Sequence, residues 1–143
     1  MGKLIEAFGE LSRFTSLVIK HNEFYSNSML SLQPILQRPI GSSLEELKIV
    51  SCKTSPAIIE RMLDILCENC NLQKLGLVQC QLGNIHIEKL RKFIADSQLL
   101  KELDLSWNEL GMQQMLDITK VLASNRTLTF VNLSWNYLTS SDK

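Results

Sequence analysis

One eleven-residue pattern recurs five times along this chain, and its spacing constrains the fold more than any other feature. The copies begin at Phe14, Leu44, Leu72, Leu100 and Leu128, at intervals of 30, 28, 28 and 28 residues. The clearest copy runs Leu100, Leu103, Leu105, Asn108, Leu110. Leu72, Leu75, Leu77, Cys80, Leu82 and Leu128, Val131, Leu133, Asn136, Leu138 follow the same template. The copy at Leu44 carries Leu47, Ile49 and Cys52, with Thr54 where a leucine belongs. The first copy, Phe14, Leu17, Ile19, Asn22, Phe24, is looser. A fixed period of this size builds a stacked array of units rather than one globular core.

Within each copy, apolar residues two apart, such as Leu103 and Leu105, have the period of a strand. Their side chains point inward, and the residues between them point outward. Asn108 or Cys80 stands where the chain turns off the strand. An Asn there can bond backbone groups of adjacent turns that stacking would otherwise leave unsatisfied. Cys is a small buried substitute without the amide's bonding capacity, so packing should hold the two Cys turns. The second half of each unit reads as a helix. Ile87, Leu90, Phe93 and Ile94 fall on one helical face. Met62, Ile65 and Leu66 precede them by one period, and Ile118, Val121 and Leu122 follow. Leu116 and Lys120 lie off that face.

The form L-x-x-L-x-L-x-x-N/C-x-L is the leucine-rich repeat signature. The stretch from Leu100 to Gly111 resembles a typical unit of the ribonuclease-inhibitor-like class, whose repeats are of this length and include a full helix. The resemblance implies an α/β fold: a right-handed solenoid or horseshoe arc. Parallel strands, about five, would line its concave face and helices its convex face. It is specific as to fold and silent as to partner, because such folds host many functions.

The expected organisation is a single domain over residues 1–143. Residues 1–13 read as a partial repeat or capping helix, with Leu4, Ala7, Phe8 and Leu11 on its apolar side. Full repeats span 14–43, 44–71, 72–99 and 100–127, and a partial repeat spans 128–143. The expectation is a fragment of a longer protein, its C-terminal end covered by further chain or by a partner. The first full repeat is two residues longer and carries Pro34 and Pro39, which mark it for an insertion or hinge. Pro39 should end any helix there. Pro56 suits the first turn of the next helix.

Composition narrows the function classes. The formal net charge is zero, which offers no field for nucleic acid or anionic lipid. No apolar run approaches the ~18–20 residues of a membrane span, and Met1-Gly2-Lys3 does not open a signal peptide. The basic cluster Lys89, Arg91, Lys92 reads as a solvated helix face. Of four cysteines, Cys52 and Cys80 share one ladder position. Cys67 and Cys70 form a Cys-x-x-Cys that lacks the second ligand pair of a zinc site, with His86 a lone further candidate. Free thiols without a secretory signal point to a reducing, cytoplasmic setting, with cytoskeletal association also open. Asn125-Arg-Thr127 and Asn132-Leu-Ser134 match the glycosylation tripeptide, but that compartment argues against their use.

No catalytic constellation is legible. Gly76, Gly83 and Gly111 are isolated, and His21 and His86 have no nucleophile at readable spacing. No cofactor or metal is expected. The informative positions are the outward ones, which stack into rows along the expected concave face. One row is Ser16, Glu46, Lys74, Glu102, Phe130. The next is Val18, Lys48, Gly76, Asp104, Asn132, and a third is Lys20, Val50, Val78, Ser106, Ser134. A fourth, at the strand exit, is His21, Ser51, Gln79, Trp107, Trp135. Strands ~4.8 Å apart put Trp107 beside Trp135, and with Phe130 they form an expected aromatic corner. Such a corner suits a protein interface. The same tryptophans read first as packing along the ladder edge, the commoner use of this position in the repeat. Glu46, Lys48, Lys74, Glu102 and Asp104 allow cross-strand ion pairs. Val50 and Val78, if exposed, mark a contact patch.

These readings favour a non-catalytic scaffold that binds another protein through Glu46, Lys48, Val50, Lys74, Val78, Glu102, Asp104, Trp107, Phe130, Asn132 and Trp135. Two alternatives follow from resemblance. Similar arrays form the sensing ends of nucleotide-binding innate-immune receptors, which makes a regulatory segment of a multidomain protein the first. Similar repeats also build GTPase-activating proteins of the nuclear-transport GTPase, though their identifying loop residues cannot be assigned here.

Overall fold

The computed structural model describes residues 14–37, 44–68, 71–85 and 87–137. The strands are β1 (Ser16–Lys20), β2 (Glu46–Val50), β3 (Lys74–Val78), β4 (Glu102–Asp104) and β5 (Phe130–Asn132). The helices are α1 (Ser26–Leu36), α2 (Pro56–Glu68), α3 (Ile87–Asp96) and α4 (Met112–Ser124). A short 3-10 turn, Leu82–Asn84, precedes α3. The five strands form one parallel sheet in chain order. Strand and helix alternate, so each unit lays its strand beside the last and its helix beside the last helix. This is the α/β leucine-rich-repeat solenoid that the period predicts.

The register is that of the sequence pattern. Leu47 pairs with Leu17 and Leu75, Ile49 with Ile19 and Leu77, and Leu103 with Leu75 and Val131. These ladder residues face the helices. Leu47, Leu75, Leu77, Leu103 and Leu105 are fully buried, together with Met62, Ile65, Leu66, Leu90, Phe93, Ile94 and Ile118 from the helical stripes. Leu116 and Lys120 lie on the exposed side of α4. Parallel strands with one face under helices bury near-continuous apolar ladders, which is why the leucine pattern dominates the sequence.

Two local features depend on proline. Pro56 is the first residue of α2, where its missing N–H has no helical partner to lose. Pro34 stands inside α1. It removes the hydrogen bond to the carbonyl of Leu30, but Leu30 lies on the exposed side, where water can serve that carbonyl. The helix ends at Leu36, and Gln37 N–H donates to the Gln33 carbonyl at 2.9 Å. Pro39, Cys70, His86 and Leu138 lie outside the described residues, as do the expected N-terminal helix and the C-terminal tail.

Burial changes toward the last unit. Leu103 and Leu105 are inaccessible, whereas Leu128, Val131 and Leu133 are partly exposed and pack against the core from one side. The basic cluster on α3 is not simply solvated. Lys89 Nζ reaches Asp64 on α2 at 2.5 Å, and the Arg91 Nε is buried without a hydrogen-bond partner.

Candidate functional site

The turn at the end of each strand positions the outward residues. Asn108 is fully buried there. Its Oδ1 accepts from the backbone N–H of Cys80 at 2.8 Å and of Leu82 at 3.5 Å, both in the preceding unit. Its Nδ2 donates to the carbonyls of Leu77, Leu105 and Ser106. Asn136 repeats the arrangement one unit later. It accepts from the N–H of Asn108 and Leu110 and donates to the carbonyls of Leu105, Leu133 and Ser134. The Cys turns have only a thiol to offer. Cys80 Sγ lies 3.5 Å from the Ile49 carbonyl and 3.4 Å from that of Val78, and Cys52 Sγ lies 3.6 and 3.4 Å from those of Ile19 and Val50. Each is a weak, shared donor, so the expected reliance on packing carries a small polar supplement. Burial, reinforced by the neighbouring Cys52, pushes the Cys80 thiol up to about 12. Cys67 is half-buried, and burial raises its thiol too. No group of three metal-capable side chains occurs among the described residues.

Next to this ladder position the backbone does something the leucine pattern does not announce. His21, Ser51, Gln79, Trp107 and Trp135 all have positive φ, between 51° and 61°. For a residue with a side chain this left-handed conformation costs about 1–2 kcal/mol. Cross-unit hydrogen bonds hold it. The N–H groups of His21, Ser51, Gln79 and Trp107 donate to the carbonyls of Val50, Val78, Ser106 and Ser134, at 2.9–3.1 Å. Five equivalent turns therefore aim five side chains off the sheet edge. The row itself held the clue: none of its five residues is β-branched, the class that tolerates positive φ least.

The outward rows stack as the sequence predicts. Glu46 pairs with Ser16 and Lys74, and Glu102 with Lys74 and Phe130; Lys48 pairs with Val18 and Gly76, and Asp104 with Gly76 and Asn132. The charges find one another. Lys74 Nζ lies 2.8 Å from Glu102, which raises the lysine's affinity for its proton through that hydrogen bond and charge. Lys48 lies across Gly76 and comes within 3.9 Å of Asp104, two strands away. Ser16 Oγ donates to Glu46 at 2.5 Å. Glu46, Lys48, Lys74, Glu102, Asp104 and Phe130 line a shallow recess of about 60 Å³. Val50 and Val78 are half-buried rather than fully exposed.

Trp107 and Trp135 are stacked, with ring centroids 4.3 Å apart and planes 13° from parallel. Both remain accessible, at 48% and 69%. Phe130, 55% exposed, opens β5, whereas the tryptophans follow the ends of β4 and β5. The expected three-membered corner is therefore divided between the two ends of the strand. The rise of an extended chain sets the ends of β5 ~7 Å apart, and Trp135 lies three residues beyond its last residue.

A further row escaped the sequence reading: Glu23, Lys53, Gln81, Glu109 and Tyr137, each one residue beyond the ladder position. Its first two members form a bridge and an ion pair at 3.0 Å. A recess of about 220 Å³ runs between the two exit rows, lined by Ser51, Cys52, Lys53, Gln79, Gln81, Trp107 and Glu109. The same 28-residue spacing was the signal that could have found this row.

Both glycosylation-like tripeptides have structural uses. Asn125 Nδ2 donates to the Ile94 carbonyl at 2.9 Å, and its Oδ1 accepts from the N–H of Thr127 and Leu128. Asn132 Oδ1 accepts from Ser134 N–H and Oγ, as Asp104 Oδ1 does from Ser106.

A family model described as Leucine Rich repeat matches residues 96–111 and 124–141. These segments contain two of the three Asn-bearing copies of the pattern, those with Asn108 and Asn136. A comparison with curated proteins returned no match. No described helix is long and apolar enough to cross a membrane. The two repeat matches, the five in-register parallel strands and the buried Asn108 turn together support a leucine-rich repeat protein.

Proposed function

We propose that the chain is a protein-binding scaffold that presents its outward strand rows and their exit edge to another protein. Leucine-rich repeat domains generally mediate protein–protein interaction and are typically non-catalytic. The observation that carries the reading is the stacked, accessible pair Trp107–Trp135, held on left-handed turns at the end of an ordered parallel sheet. Large rigid aromatics that lose little entropy on contact are favoured interface anchors. On the strand rows that lead to this anchor Lys48 pairs with Asp104 and Lys74 with Glu102, and Glu46 accepts from Ser16. Such charge contributes selectivity of approach more than affinity. Free thiols at Cys52, Cys67 and Cys80 suit a reducing compartment, and a cytoplasmic location fits the reading.

Affinity capture followed by mass spectrometry tests it. The wild-type chain should retain a partner that Trp107→Ala and Val78→Glu lose, with far-UV circular dichroism unchanged. If both folded variants retain every partner, the outward face is not the binding surface.

A further inference from the structure

The exit edge divides into a half that satisfies itself and a half that does not. In the N-terminal half, Ser51 Oγ donates to Gln79 Oε1 at 2.6 Å, and Lys53 pairs with Glu23. In the C-terminal half stand two stacked indoles, the exposed Tyr137 and the exposed carboxylate of Glu109. Among the described residues Glu109 makes no ion pair, whereas Glu23, the other acid of its row, pairs with Lys53.

Glu109 is also held firmly. Its backbone is left-handed, at φ 57°. Its carbonyl packs so closely on Gly83 that a Cβ there would approach to 2.6 Å. The flanking Asn108 carbonyl accepts from Gly83 N–H at 2.9 Å, and the Leu110 carbonyl from Tyr137 N–H at 3.0 Å. Trp107 has Trp135 on one side and lines the 220 Å³ recess with Glu109 and Gln81 on the other. The recess thus combines a fixed π-surface, a carboxylate and amide groups. Its one basic neighbour, Lys53, is engaged by Glu23 and lies two units from Glu109, ~10 Å by strand spacing.

We propose that this recess is a subsite for an arginine side chain on a partner protein, its guanidinium lying on the Trp107 ring and its N–H fork turned to the Glu109 carboxylate. A planar cation satisfies both features together: the ring face attracts positive charge, and a carboxylate accepts two parallel N–H bonds. A lysine ammonium can make the charge contact without the planar stack. An anionic partner meets an unneutralised carboxylate and an electron-rich ring. The proposal rests on the protein-binding reading and adds the chemistry of what binds.

Both tryptophans of the chain belong to this site, so intrinsic fluorescence reports on it alone. The probes are capped octaarginine, octalysine and octaglutamate, titrated at low ionic strength. Octaarginine should perturb the emission saturably, octalysine about three- to tenfold more weakly, and octaglutamate not at all. Glu109→Gln keeps size and exposure and should weaken octaarginine by about three- to tenfold. Glu88→Gln removes the same charge from α3 and should leave binding unchanged. Equal binding of Glu109→Gln and Glu88→Gln, or equal response to octaarginine and octalysine, overturns the proposal. The protein-binding reading survives that outcome, because partner capture with Val78→Glu tests it separately.

Discussion

The turns at Cys80 and Asn108 occupy the same place in consecutive units, yet different chemistry closes them. Asn108 satisfies two N–H groups of the preceding unit and three carbonyls from a side chain closed to solvent. Cys80 supplies one weak S–H shared between two carbonyls and otherwise fills space. In the three inner units the repeat position therefore demands burial and small size, and extensive backbone satisfaction only from Asn108. The family match falls on the units of Asn108 and Asn136, whose amides both bond backbone of the preceding unit.

The largest expected effect breaks or keeps that contrast directly. Asn108→Ala leaves buried donors and acceptors on both sides of the turn without partners, at a cost of about 3–5 kcal/mol. Cys80→Ala removes one sulfur and should cost about 1–2 kcal/mol. Urea denaturation monitored by circular dichroism gives both values. Equal costs would mean that the amide network contributes no more than packing, and the distinction between the turns would fall.

Gly83→Ala sharpens the comparison from the other side of the same turn. The new Cβ would meet the Glu109 carbonyl at 2.6 Å, a backbone atom that cannot rotate away. The clash should cost about 2–3 kcal/mol if the asparagine network holds the Glu109 turn in place. A cost below ~0.5 kcal/mol would show that this turn yields, and surface-like tolerance would replace rigidity.

The Cys turn makes its own prediction in pH. The Cys80 thiol rises from 9.0 to about 12 because its burial disfavours the thiolate. Below pH 9 the thiol is protonated in both the folded and unfolded chain, and the stabilisation is fully present. Between pH 9 and 12 only the unfolded chain ionises, so stability falls by about 1.4 kcal/mol per pH unit. Stability measured at pH 8 and pH 10 should therefore drop by about 1.4 kcal/mol more for wild type than for Cys80→Ala. Parallel losses in the two proteins would place Cys80 in contact with solvent.

Why some of this was legible in the sequence follows from the same contrast. Leu103, Leu105 and their equivalents repeat because every unit must bury the same positions, so period alone gave the strands, their order and their register. Trp107 beside Trp135 followed from register and strand spacing. The left-handed turn at His21, Ser51, Gln79, Trp107 and Trp135 was not legible from the ladder, because at the first four of these backbone bonds to the next unit hold it and no single residue type marks it. The division of Phe130 from the tryptophans escaped because a row map records neighbours across strands and neglects distance along them. Glu109 escaped because its interest lies in a missing partner, and only coordinates reveal that its equivalents at Lys53 and Glu23 have paired.

The smallest effect concerns a glycine whose neighbour can move. A Cβ on Gly76 would meet Lys48 Cγ at 2.7 Å, but that atom belongs to a flexible side chain that arches over β3 toward Asp104. Gly76→Ala should displace Lys48 and loosen the 3.9 Å pair, while alanine restricts the unfolded chain by about 0.4–1 kcal/mol in favour of folding. The two nearly cancel, leaving a net change within ~0.5 kcal/mol. In a Lys48→Ala background the obstruction is gone, and Gly76→Ala should stabilise by about 0.4–1 kcal/mol. The coupling between the two substitutions isolates the lysine's passage over the glycine. If Gly76→Ala has the same effect in both backgrounds, Lys48 does not lie across this strand in solution. The outward face would then keep its charges free for a partner instead of pairing them within the sheet.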